Sequence, residues 1–181
     1  RERGLTEAGF PSGANRPVVF FLGGSQGAAQ INELVRELLP DLLGWWRVIH
    51  QTGSGKEAAH DRGGGLTGNS PGESYFAAPF FRDELADLLA AADLVVCRAG
   101  AGTLWEVAAL GKPMLLVPLI SGSRGDQVGN AEQFQRAGGA RVFTVADTLL
   151  ADIQATLREL SSKPTAMQEM GQNAQKLIHI D

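Results

Sequence analysis

The chain has 181 residues with 44% hydrophobic and 20% charged side chains, enough apolar material for one domain without a disulfide or metal staple and too much for disorder. Its 23 glycines follow no three-residue period, which excludes collagen, and its net charge of −4 with 16 scattered Lys and Arg leaves neither a nucleic-acid footprint nor a polybasic membrane patch. The longest apolar runs, such as residues 114–120, fall well short of the about 20 residues that a transmembrane helix needs.

Residues 1–16 are polar and punctuated by Gly and Pro, and read as a linker tail; residues 17–181 read as the domain. The chain starts at Arg1, shows no signal-peptide pattern and reads as an excerpt of a longer protein. A strand is expected over 17–22. A helix follows over 28–43, where Ile31, Leu34, Val35, Leu38, Leu39, Leu42 and Leu43 repeat at three and four, stopped by Pro40 or, if kinked, by Gly44. The next strand is 46–51. Residues 53–74 hold seven glycines and Leu66 as their only large apolar residue, and read as a mobile loop or a broken crossover helix. Strand 75–78 precedes a helix over 83–92 with Leu85, Leu88 and Leu89 inward. Strand 94–98 contains Cys97, the only cysteine, read as a small buried hydrophobe. With a single cysteine no internal disulfide forms, which fits a reducing compartment. A short helix over 104–110 ends at Gly111-Lys112-Pro113, a glycine cap and a proline stop. Strand 114–118, a helix over 127–137 before Gly138-Gly139, strand 141–145, and helices over 148–160 and 166–178 complete the chain.

Six strands alternating with helices call for an α/β fold: a parallel sheet with right-handed crossovers. The strands are nearly continuous in apolar residues, as expected when helices cover both faces. Such sheets bind ligands beyond the carboxyl ends of their strands, which places the candidate site at 23–28, 98–103 and 119–130.

Three loops there hold chemistry. Gly23-Gly24-Ser25-Gln26-Gly27-Ala28 joins the first strand to a helix. Glycines let main-chain N–H groups approach an anion at a helix start, and Ser25 adds a hydroxyl; the same sequence also makes a tight turn with Ser25 as an ordinary N-cap. It matches neither the dinucleotide fingerprint nor the P-loop. Arg98-Ala99-Gly100-Ala101-Gly102-Thr103-Leu104-Trp105-Glu106 opens a helix after the fourth strand. Thr103 and Glu106 have capping-box spacing, while Glu106 alternatively offers two carboxylate oxygens to the vicinal hydroxyls of a ribose. The loop after the fifth strand packs Ser121, Ser123, Arg124, Asp126 and Gln127 together; it either hydrogen-bonds a sugar or is solvated, with Asp126 capping the helix. Trp45 and Trp46 read as packing residues, and Trp105 lies among the site candidates. His50, His60 and His179 share no ligand spacing, no Asp-x-Asp occurs, and no cofactor is implied.

Taken together, Gly-Gly-Ser-Gln-Gly-Ala, Cys-Arg-Ala-Gly-Ala-Gly-Thr…Glu, Gly-Lys-Pro…Val-Pro-Leu and Asp-Gln-x-x-Asn-Ala resemble, in order and spacing from about residue 17 to 178, the C-terminal half of the MurG glycosyltransferases. The resemblance implies a Rossmann-like six-stranded domain flanked by helices, one half of a GT-B enzyme that moves GlcNAc from UDP-GlcNAc to lipid I in bacterial peptidoglycan synthesis. The alternatives are another GT-B UDP-sugar transferase, of the glycolipid or dolichol-linked type, or a non-catalytic nucleotide-binding module. It further implies donor contacts from Ser25 and Gln26, main-chain contacts to uracil at Phe81 and Arg82, diphosphate and ribose contacts from Ala101, Gly102, Thr103, Leu104, Trp105 and Glu106, and sugar contacts from Asp126 and Gln127. Glu106 takes the ribose. Many relatives show Gln or His just before that last Gln, whereas this chain has Gly125-Asp126. The catalytic base and the lipid-acceptor surface belong to the family's other half, so no catalytic residue is expected here. The resemblance places the full-length protein in the cytoplasm, peripheral at the inner face of the plasma membrane.

Overall fold

A computed structural model describes residues 1–11, 15–23, 28–53, 74–120 and 126–179. In chain order the elements are α1 (Glu2–Glu7), β1 (Val18–Leu22), α2 (Ala28–Trp45), β2 (Arg47–Gln51), β3 (Tyr75–Ala78), α3 (Leu85–Ala91), β4 (Leu94–Cys97), α4 (Ala101–Ala109), β5 (Met114–Leu116), α5 (Asp126–Arg136), β6 (Ala140–Val142), α6 (Leu149–Ser161) and α7 (Pro164–Lys176), closed by a 3₁₀ turn at Leu177–His179. The strands form one six-stranded sheet in the order β3-β2-β1-β4-β5-β6, parallel in its recorded pairings. β1, β2, β4 and β5 are buried along their whole length, the burial that helices on both faces impose. The chain divides into two compact units, residues 1–92 and 93–181.

In the first unit, α2 buries Ile31, Leu34, Val35, Leu38 and Leu42. It runs through Pro40 and Gly44, where the sequence suggested a stop. Pro40 is exposed, so its ring points away from the packed stripe, and burial on that stripe offsets the roughly 3 kcal/mol of an interior proline. Trp46 is fully buried just past the helix.

Residues 1–16, expected as a linker tail, are instead largely docked. α1 packs on α3, and Leu5, Ala8 and Phe10 are buried. A Cβ on Gly4 would lie 2.0 Å from the Asp87 carbonyl oxygen, so the two helices meet backbone to backbone. Buried Arg47 fastens the segment's exit: its Nε donates to the Arg16 carbonyl at 3.0 Å, its Nη1 to the Pro11 carbonyl at 3.3 Å, and its guanidinium lies 5.4 Å from the centre of the Phe10 ring. Sequence polarity misled because the anchoring apolar residues are few and their partners lie far along the chain. The Gly-rich stretch expected over 53–74 falls almost wholly outside the described residues.

A closed polar network sits inside this unit. His50 is fully buried, with Nε2 2.9 Å from Asn32 Oδ1 and Nδ1 3.1 Å from the Tyr75 hydroxyl. Asn32 donates its own NH₂ to the Thr52 carbonyl at 2.9 Å, so His50 Nε2 holds the ring proton and Nδ1 accepts from Tyr75. Burial pushes the Tyr75 hydroxyl up to about 12, which keeps it a neutral donor.

In the second unit, α4 and α5 both end in the predicted glycine caps. Gly111 (φ +62°) and Gly138 (φ +75°) adopt the left-handed conformation, and paired bonds close each terminus: Gly111 to Ala108 and Lys112 to Val107, Gly138 to Gln135 and Gly139 to Phe134. α4 begins at Ala101, three residues before the sequence signal, and β6 starts one residue early and is shorter than expected. α7 crosses the end of α4 at Gly171, where a Cβ would lie 2.0 Å from the Gly111 carbonyl oxygen.

That contact yields a paired prediction. Gly171→Ala has no room and should cost about 1–3 kcal/mol, lowering Tm by several degrees. Gly129→Ala, on a face of α5 where an added Cβ meets nothing within 4 Å among the described residues, should stabilise by about 0.5–1 kcal/mol. Melting curves of the two variants check both signs.

Candidate functional site

α4 starts directly after β4, and its start is bare. Gly100 is the N-cap, and no side chain caps the helix. The first helical bond runs from the Leu104 N–H to the Gly100 carbonyl at 3.1 Å, so the N–H groups of residues 101–103 have no partner within the helix. This overturns the capping-box reading of Thr103 and Glu106. Thr103 is the third helical residue rather than the cap, because Gly100, Ala101 and Gly102 let the chain turn earlier. Glu106 therefore stands one turn into the helix with its carboxylate exposed.

The side chains of 101–106 divide sharply. Ala101, Gly102 and Glu106 are exposed, Thr103 is half-buried, and Leu104 is core, so Leu104 offers a ligand only its main chain. Trp105 is 40% exposed and lies edge-on to Phe134, with ring centres 5.5 Å apart. A Cβ built on Gly100 or Gly102 meets nothing within 4 Å among the described residues. The protein's own packing does not require these two glycines, unlike Gly171. They sit beside N–H groups that have no partner within the helix, at the positive end of a helix dipole, a place where an anion is stabilised.

Polar side chains from the same motifs brace this turn and the loop beside it. Arg98 is nearly buried and donates Nη1 to the Val117 carbonyl at 3.0 Å, tying the end of β4 to the exit of β5; burial lowers its guanidinium from the usual value. Asn130 Nδ2 donates to the Ala99 carbonyl at 3.1 Å and so holds α5 against the β4–α4 turn. Gln127, one turn earlier on α5, accepts the Leu119 N–H on Oε1 at 2.9 Å, a bond that does not use its Nε2. Asp126 is the first residue of α5 and is exposed. Residues 121–125, the rest of that loop, lie outside the described residues.

In the first unit, Phe81 and Arg82 follow β3. Phe81 is buried, edge-on to Phe20 at 5.7 Å and against Phe76 at 5.4 Å, while Phe80 beside it is 42% exposed. The Phe81 N–H is already committed: it donates to Gln51 Oε1 at 3.1 Å. The Arg82 N–H donates to the exposed Glu84 carboxylate at 3.2 Å. Ser25 and Gln26 lie outside the described residues. Gln51 escaped the sequence reading, although an amide at the very end of a buried strand was a visible signal; Asn130 was legible only as the Asn of the Asp-Gln-x-x-Asn-Ala motif.

Cys97 is fully buried, and burial pushes its thiol up to about 12. It should resist iodoacetamide at pH 8 in the folded protein and alkylate on denaturation; rapid native labelling would contradict the packing of β4. Glu106→Gln, which removes no cap, should leave Tm unchanged within about 1 °C.

The sequence matches the glycosyltransferase family 28 C-terminal domain over residues 18–180. It is 47% identical over 141 residues to the UDP-N-acetylglucosamine--N-acetylmuramyl-(pentapeptide) pyrophosphoryl-undecaprenol N-acetylglucosamine transferase of Treponema denticola, covering 74% of this chain and 35% of the relative. It is 38% identical over 164 residues to transferase 2 of that name from Bacillus cereus, covering 89% and 43%. The crystal structure of Acinetobacter baumannii MurG superposes with a TM-score of 0.75 at 26% identity, over 94% of this chain and 48% of that one. The chain thus spans less than half the length of these relatives. Its parallel sheet is that of a GT-B glycosyltransferase half, and the chain belongs to glycosyltransferase family 28, within the C-terminal domain of that family.

Proposed function

We propose that this chain is the donor-binding domain of a hexosyltransferase that moves GlcNAc from UDP-GlcNAc to undecaprenyl-pyrophosphoryl-MurNAc-pentapeptide, giving lipid II. The observation that carries the reading is the bare, open start of α4 with Glu106 one turn on. A UDP leaving group needs its developing charge stabilised, and preorganised N–H donors at a helix start do this without reorganisation. In this reading the N–H groups of Ala101, Gly102 and Thr103 face the diphosphate. Glu106 accepts both ribose hydroxyls, and Leu104 and Trp105 shape the turn between them. Ser25 and Gln26 contact the donor from the first loop. The main chain at Phe81 and Arg82 receives the uracil, and Asp126 and Gln127 the sugar. Because the Phe81 N–H is occupied by Gln51, the uracil contacts fall to the Phe81 carbonyl and the Arg82 main chain.

Inverting transfer requires a base to deprotonate the attacking hydroxyl. No residue described above is placed to do so, and that role and the lipid acceptor are assigned to the part of the relatives that this chain does not match. Among the described residues no helix is long and apolar enough to cross a membrane. A lipid-linked acceptor then implies peripheral association with the cytoplasmic face of the plasma membrane. The second reading is a GT-B transferase using a different UDP-sugar. It is favoured by Gly125-Asp126 preceding Gln127, since Asp126 presents an exposed carboxylate where an amide or imidazole is expected.

Titration calorimetry tests the proposal. UDP should bind at least about tenfold tighter than ADP, and equal affinities refute it. Glu106→Gln should weaken UDP by about tenfold or more, since hydrogen bonds to charged groups contribute about 1.5–3 kcal/mol, and should leave a 2′,3′-dideoxy analogue unaffected. Gly102→Val should weaken UDP while leaving Tm unchanged or higher, because the valine side chain enters the space reserved for the diphosphate and relieves a helical glycine.

A further inference from the structure

The polar side chain at the end of β2 does something the strand itself does not require. Gln51 pairs with Leu22 on one side and Ala78 on the other, completing the ladder. Past that rung the main chain continues to hold β3's exit: Thr52 N–H donates to the Ala78 carbonyl and Gly53 N–H to the Pro79 carbonyl, both at 2.9 Å. The ladder then runs out, and the Gln51 side chain takes over. Its Oε1 accepts the Phe81 N–H at 3.1 Å, and its Nε2 donates to the Gly23 carbonyl at 3.2 Å. One planar amide, 8% exposed, thus joins the last main-chain position before the Gly-Ser-Gln loop to the first main-chain position of the 81–82 segment.

Geometry makes this bridge directional. An amide offers an acceptor and a donor in one plane at fixed spacing, so Phe81 N–H and Gly23 C=O are fixed relative to each other. The Phe81 ring, wedged against Phe20 and Phe76, fixes the same residue from its other side. The main chain of 81–82 is therefore aimed by Gln51 and by the ring together. Recognition of a pyrimidine edge by main-chain groups tolerates errors of only about 0.5 Å before a hydrogen bond is lost.

We infer that Gln51 is a positioning residue for base selectivity: without touching the nucleotide, it holds the 81–82 main chain where uracil is distinguished from a purine. This rests on the reading of 81–82 as the uracil-holding segment. Gln51→Leu removes both bonds and leaves a buried N–H and a buried carbonyl unpaired. Gln51→Glu keeps the shape but sets a carboxylate against the Gly23 carbonyl. Desolvation and that carbonyl raise the introduced acid's pKa, so the protonated form, which both accepts and donates, is the one that restores the bridge.

The test is the ratio of UDP to ADP affinity by calorimetry, with melting curves as the folding control. The ratio cancels contributions common to both diphosphates, including their own titration. Wild type should discriminate about tenfold or more at every pH from 5 to 8. Gln51→Leu should lose most of that ratio, at least about fivefold, and Gln51→Glu should keep it at pH 5 and lose it as the pH rises to 8. A folded Gln51→Leu protein that keeps the ratio within about twofold overturns the inference and leaves the uracil reading standing; wild type that fails to discriminate removes both. If Gln51→Leu does not fold, a pH-independent ratio in Gln51→Glu overturns it, and failure of both variants to fold assigns Gln51 to the fold alone.

Discussion

A parallel ladder ends abruptly at its carboxyl edge, and the main-chain groups just beyond it are buried, polar and without strand partners. Leaving such a group unpaired costs about 1–3 kcal/mol, so the loops there are constrained before any ligand is considered. This protein meets the demand with long polar side chains. Gln51 serves Gly23 and Phe81, Asn32 serves Thr52, Arg98 serves Val117, Asn130 serves Ala99 and Gln127 serves Leu119. Each bond spans eight or more positions of sequence, so each also fixes one loop against another element.

The start of α4 combines such bracing with an open helix end. Its turn is braced by Asn130, yet the helix itself begins at a glycine with no side-chain cap bond and with a second glycine two residues on. A protein that stabilised this helix for its own sake would place Ser, Thr, Asp or Asn at the cap, worth about 1 kcal/mol. In the proposed function these donors face the diphosphate instead. The neighbouring residues are held firmly by Arg98 and Asn130, so the bare donors are preorganised rather than loose.

Close packing elsewhere supports the same region. Gly171 of α7 lies on the glycine that terminates α4, so a wider residue there would press on the helix that presents Glu106, and Gly139 lies equally close against Ala174 of α7. In the first unit, Phe81 is fixed by two rings and an amide, while its neighbours Phe80 and Arg82 stay exposed. Both units combine a rigid base with a short exposed main-chain segment, which suits recognition by backbone groups.

By itself the sequence determined the element order, the parallel α/β class, the glycine ends of α4 and α5, and the burial of Cys97 and Trp46. These follow from apolar periodicity and from glycine's access to positive φ, both properties of a few consecutive residues. Its motif order also identified the family. Tertiary structure alone decided that α2 passes through Pro40, that Phe10 and Arg47 dock the N-terminal segment, and that Thr103 is a third helical residue rather than a cap. It also decided that the Phe81 N–H belongs to Gln51. In the first two cases the energy lies in burial and bonds between distant residues. At Thr103 two starting points with similar local cost compete, and the packing of the turn chooses between them. At Phe81 the donor and acceptor lie 30 positions apart, so no local pattern joins them before the sheet forms.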